Sequence, residues 1–132
     1  MADKFRIDRK AVDPLEWFYR RGYASPERKY MNPDGTATSR VFKLRDKDNG
    51  QPSVDIKSMT TPENAIGDQD KFMLFEISNK YILSLELGSF HDPLNLQEHG
   101  IDNPAHAVIV GFSVEDEITP GLLARGSNRY RF

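Results

Sequence analysis

Residues 13–23, DPLEWFYRRGY, decide how the rest of this chain is read. Asp13 is followed by Pro14 and, three residues on from the aspartate, by Glu16. That is the order of an N-cap, a proline at the first helical position and a carboxylate able to reach back to the cap. It predicts a short helix carrying Leu15, Trp17, Phe18 and Tyr19 and closing at Gly22. On that reading the strands come from later segments.

Asn32-Pro33-Asp34-Gly35 has the chemistry of a turn, and residues 38–44 after it read as a strand. Asp48, Asn49 and Gly50 form a second turn leading into residues 53–58, where Val54 and Ile56 alternate with polar neighbours, so the two runs are expected to pair as a hairpin. Thr61-Pro62-Glu63 repeats the cap logic and opens one or two helical turns before Gly67. Residues 72–77 have the length and composition of a strand. The stretch SNKYILSLEL at 78–87 admits two periods: Tyr81, Leu83, Leu85 and Leu87 alternate as in a strand, whereas Ser78 can cap a helix with Ile77 and Ile82 as its staple. The helix is preferred over residues 79–86. AVIVGF at 107–112 reads as a central strand buried on both faces, and Thr119-Pro120 opens a last short helix through Ala124, ahead of the tail GSNRYRF.

These elements predict an α+β fold: a single compact domain over residues 1–132, with a small mixed or antiparallel sheet, three to four short helices, and loose ends near 1–8 and 126–132. One Trp, eight Phe and five Tyr spread along 132 residues are enough to build one core. The absence of cysteine excludes disulfides, thiolate nucleophiles and cysteine-ligated zinc. The N-terminal residues lack the apolar core of a signal peptide and no run approaches a membrane span, so the expectation is a cytoplasmic protein without membrane contact. Charge is uneven. Residues 1–45 hold 11 Lys and Arg against 6 Asp and Glu, residues 46–118 hold 4 against 14, and the last fourteen add three arginines.

All three histidines fall in HDPLNLQEHGIDNPAH at 91–106. His91, His99 and His106 are separated by prolines and Gly100 at spacings that match no ligand motif, so no metal is expected. His106 stands at the mouth of a buried strand, where a hydrogen bond to backbone would lock the loop. No phosphate-cradling glycine loop or nucleophile elbow is present, and Glu115, Asp116 and Glu117 are consecutive and point apart, so neither a cofactor nor a catalytic residue is assigned.

The stretches WFYRRGY, RKY at 28–30 and RYRF at 129–132 combine aromatic and basic residues, the composition of interface hot spots and of single-stranded nucleic-acid sites. The succession FYRRG, TSRVF, PSVDI with TTPENA, then HDPL with DNPAHAVIVG, resembles a pattern in small uncharacterised bacterial proteins, across residues 18–112. The resemblance implies that Asp92, Pro93, Asn103, Pro104 and His106 belong together and leaves His99 outside; it implies no reaction. The candidate binding residues are therefore Arg20, Arg21, Tyr23, Asp92, Asn103, His106, Arg129 and Tyr130. The leading expectation is a non-enzymatic cytosolic module that binds a partner protein, of the size and kind of a component of a bacterial defence or toxin-type system. A nucleic-acid or nucleotide binder using the Arg/Tyr clusters is the alternative. A small ADP-ribosyltransferase-like, NAD-using enzyme is the second alternative, with YRRG and NPDG upstream of Ser39 as its signal and Glu76 as its carboxylate.

Overall fold

A computed structural model describes residues 9–44 and 51–132. Seven strands form one sheet: β1 (Lys10–Ala11), β2 (Trp17–Tyr23), β3 (Ser53–Ile56), β4 (Phe72–Ser78), β5 (Gly88–His91), β6 (His106–Val110) and β7 (Asn128–Tyr130). Their order is β1-β5-β6-β3-β2-β4-β7, with every neighbouring pair antiparallel. Four short helices accompany it: α1 (Pro62–Ile66), α2 (Asn79–Ser84), α3 (Leu96–His99) and α4 (Thr119–Gly126). The α+β expectation holds, with the sheet purely antiparallel. Among the described residues no helix is long and apolar enough to cross a membrane.

The predicted helix at 13–22 is a turn followed by the inner strand β2. The Asp13 carboxylate accepts from the Leu15 N–H at 2.8 Å and its carbonyl from the Glu16 N–H at 3.0 Å, so the supposed cap is spent inside a four-residue turn with Pro14 in a favoured place. Glu16 turns away and accepts from the Ser58 hydroxyl at 2.8 Å. Beyond the turn, four aromatics in seven residues suit a pleated surface better than a helix. Alternation places Phe18 and Gly22 on one face and Tyr19, Arg21 and Tyr23 on the other. β2 pairs with β4 along its whole length, from Trp17↔Ser78 to Tyr23↔Phe72. At Gly22 the sheet leaves no room for a side chain, since a Cβ there would lie 2.9 Å from a Tyr30 ring carbon.

Two further expectations change. Residues 38–44 contain a 3-10 turn (Ser39–Val41) instead of a strand, so β3 has no hairpin partner there and pairs with β2 and β6. The turn read at 48–50 lies outside the described residues, as does the loose end at 1–8. The other end, read as loose, carries β7 along the edge of β4. The remaining signals match: Thr61 caps α1 by accepting from the Asn64 N–H, Ser78 caps α2 by accepting from the Tyr81 N–H, and α4 starts at Thr119. Its anchor is Asp116, whose carboxylate accepts from the N–H groups of Ile118 and Thr119 and from the Thr119 hydroxyl.

The main core lies on the face of Phe18, where Val54, Ile56, Phe75, Ile77 and Ile109 meet Ile82 of α2 and Leu123 of α4. Phe18, Phe42 and Phe75 are fully buried, each contributing roughly 1.5–3 kcal/mol by leaving water. A smaller cluster on the opposite face joins Tyr19 and Leu74 to Ala65 and Ile66 of α1. Asn79, fully buried, fastens the turn at 13–16 to the sheet. Its side-chain amide donates to the carbonyls of Val12 and Asp13 at 3.0 Å, and its side-chain oxygen accepts from the Ser89 hydroxyl at 2.7 Å.

Candidate functional site

β2 and β3 stay together only through Phe18↔Ile56 and Tyr19↔Asp55. Past Tyr19, β2 continues with β4, whereas β3 keeps its pairing with β6 through Ser53↔Val108. Where the two strands part, a groove of about 720 Å³ opens. Arg20 braces its mouth: Nε donates to the Val41 carbonyl at 2.9 Å and Nη1 to the Ser53 carbonyl at 2.6 Å. Arg21, Arg40 and Lys43 also line the groove, and Asp55 is the one carboxylate on its wall among the described residues. A chain with a formal charge of -2 thus gathers four cations around one opening.

The far wall comes from the loop 92–105 and the start of β6. Asn103 donates to the Asp55 carboxylate at 2.8 Å, and Leu94 and Ile101 supply apolar surface. His106 pairs with Asp55 across the β3–β6 ladder. Its Nδ1 lies 2.8 Å from the Asp92 carbonyl and its Nε2 3.1 Å from the Ser53 hydroxyl. The lock read from sequence is present, and it ties the loop to two strands at once. The Asp92 side chain faces away, toward Arg9 at 3.2 Å.

The aromatic residues are already engaged. Arg28 lies over the Tyr23 ring at 4.2 Å and Arg21 over the Phe72 ring at 4.4 Å, while Tyr30 meets Tyr23 edge-on. Such contacts between a guanidinium and a ring face occupy that face within the chain. Lys57 and Glu76 bridge at 2.6 Å beside Tyr19; this bond, before any other cause, raises the lysine pKa, and burial raises that of the Tyr19 phenol. Glu76, the carboxylate nominated for NAD chemistry, is therefore held by Lys57 and does not line the groove.

Of the eight candidates, Arg20, Arg21, Tyr23, Asn103 and His106 line the groove, and Asp92 contributes its carbonyl behind His106. Arg129 and Tyr130 lie apart on β7, on the far side of β4. There Arg129 Nη1 contacts the Met31 sulfur, and Tyr130 meets Tyr19 edge-on with ring centres 6.0 Å apart. The histidines do not converge: His91 Nε2 bonds the Pro104 carbonyl and His99 Nδ1 accepts from the Asn95 N–H. Among the described residues no three His, Asp or Glu side chains form a cation site. Sequence reading missed Arg40, Lys43, Ser53 and Asp55, whose shared position follows only from the parting of β2 and β3. No family model, no curated protein and no solved structure matches the chain.

Proposed function

We propose that this chain is an interaction module whose groove between β2 and β3 takes an acidic segment of a partner protein. The gathering of Arg20, Arg21, Arg40 and Lys43 around one opening of a net-acidic chain carries this reading, because such a patch attracts and orients an anionic partner. The span from Arg20 to Tyr23 is four residues, about 13 Å of strand, which suits a short extended peptide. The opposing wall of Leu94 and Ile101 offers apolar surface for its uncharged side chains.

The occupied ring faces favour a peptide over a single-stranded nucleic acid. Base stacking needs a free aromatic face, and Arg28 and Arg21 already cover faces of Tyr23 and Phe72. Fluorescence anisotropy with a Glu-rich peptide and with mixed-sequence DNA and RNA oligonucleotides of equal charge tests the reading. The peptide is expected to bind more tightly, and reversing two cations in Arg40→Glu/Lys43→Glu to weaken it by about tenfold or more. Tighter oligonucleotide binding with a steep salt dependence would replace this reading with the nucleic-acid one.

A further inference from the structure

We infer that Ser53 and His106 form a nucleophile and base pair, giving the groove a second activity: acyl transfer from carboxylic esters that carry a negative charge. Ser53 and Asp55 share one face of β3, and Asp55 lies directly opposite His106 of β6. This register brings the Ser53 hydroxyl to 3.1 Å from His106 Nε2. At the other side of the ring, Nδ1 is 2.8 Å from the Asp92 carbonyl. A carbonyl oxygen can only accept, so Nδ1 carries the proton, Nε2 presents its lone pair, and the Ser53 O–H donates to it. Nucleophile, base and orienting acceptor then stand in one polarised line, with a backbone carbonyl in the place a carboxylate often takes.

The orienting carbonyl is fixed. The Asp92 N–H donates to the His106 carbonyl at 2.9 Å, and the Asp92 side chain is held by Arg9. Ser53 is exposed and lines the groove, and the guanidinium anchored on its own carbonyl places the Arg20 charge next to it.

The chemistry balances without another reagent. Ser53 Oγ attacks the ester carbonyl carbon, its proton passes to His106 Nε2, and the carbonyl electron pair moves onto oxygen. Collapse breaks the bond to the leaving alkoxide, which takes the proton from Nε2. Water then attacks the acyl-serine, gives its proton to Nε2, and the released Ser53 oxygen recovers it, so ester and water become acid and alcohol. The preference for an anionic ester rests on the groove's role as an anion site; the reactivity of Ser53 does not.

A neutral fluorophosphonate applied to the full chain tests the pair. Peptide mapping is expected to find the adduct on Ser53, absent in Ser53→Ala and formed on the order of 100-fold more slowly in His106→Gln. Ser53→Ala, on an exposed position, keeps the comparison valid if His106→Gln folds poorly. No adduct on Ser53 in folded wild-type protein, or ester hydrolysis unchanged in Ser53→Ala, overturns the proposal. The nitrophenyl esters of acetate and of hemisuccinate separate the two claims. Faster turnover of the succinate, lost in Arg40→Glu/Lys43→Glu, supports the charge preference. Equal turnover with Ser53 still labelled overturns that preference and leaves the nucleophile standing.

Discussion

On the side of the sheet that carries Phe18, Phe75, Ile77 and Ile109, the side chains are sealed beneath α2 and α4. On the other side α1 makes a smaller cluster with Tyr19 and Leu74, and the surface beside it holds Arg21, Ser53, Asp55 and His106 around a groove. Both sides are made by the same strands, and β2 contributes Phe18 to one and Arg21 to the other. The period of two that a strand imposes lets one segment of seven residues supply an anchor and a binding surface with no compromise between them. It also separates the consequences of mutation: changes on the first side should register in stability alone, changes on the second in binding.

The largest effect expected is at the centre of the sealed side. Phe18→Ala removes a fully buried ring at the middle of the sheet and should cost about 3–5 kcal/mol in urea denaturation. Arg21→Ala, three residues along β2 on the open side, should cost under about 1 kcal/mol and weaken peptide binding. Similar losses from the two would break the division between the sides. Next comes Asn79→Ala, which strips the partner from the Val12 and Asp13 carbonyls and the Ser89 hydroxyl within the protein. It should cost about 2–3 kcal/mol, because buried polar groups then lose their hydrogen bonds. A loss below about 1 kcal/mol would show that water satisfies the exposed partners.

The open side is sharpened by its histidines. His106→Ala frees the Asp92 carbonyl and the Ser53 hydroxyl and should cost about 1–3 kcal/mol together with binding. His99→Ala, on the exposed end of α3, should cost under about 0.5 kcal/mol and leave binding as it was. Full stability in His106→Ala with binding abolished would mean the imidazole meets the ligand and does not hold the loop. Equal stability losses from the two variants would remove the special place of His106.

The elements legible in the sequence are those whose signals are local: the Thr61 and Ser78 caps, the apolar runs of β4 and β6, and Thr119-Pro120 at the start of α4. β2 escapes a local reading because a helix cap and a turn share the same first residues, Asp then Pro. Strands far along the chain choose between them. Phe72 to Ser78 lie opposite β2, and no window around residue 17 contains them. The strands β1, β5 and β7 are too short to show a period. His106 is legible as a loop lock because it borders an apolar run. Its neighbours Ser53 and Asp55 are not, since their role depends on the β3–β6 register and on where β2 departs. The Arg/Tyr clusters are visible in the sequence, but their mutual cation–ring contacts, which weigh against base stacking, depend on folded distances.

The smallest effect expected belongs again to the sealed side, at the start of α4. Hydrogen bonds from the Thr119 hydroxyl, and then from the Thr119 and Ile118 N–H groups, hold the Asp116 carboxyl below its ordinary pKa. A carboxylate with a depressed folded-state pKa contributes stability that is fully present above its unfolded value and is lost as pH falls through the folded one. α4 carries Leu123 into the core, so this acid-sensitive contact acts on the sealed side while the groove lies elsewhere. Asp116→Asn should therefore lower the melting temperature slightly at neutral pH, with peptide binding unchanged. The gap between variant and wild type should close as pH falls below the ordinary carboxylate range, where the wild-type carboxyl takes up its proton. Melting curves of the two proteins at a series of pH values measure it directly. A gap that stays constant down to that acidity would place the acid sensitivity of the core in another carboxylate and leave Asp116 as a neutral turn residue.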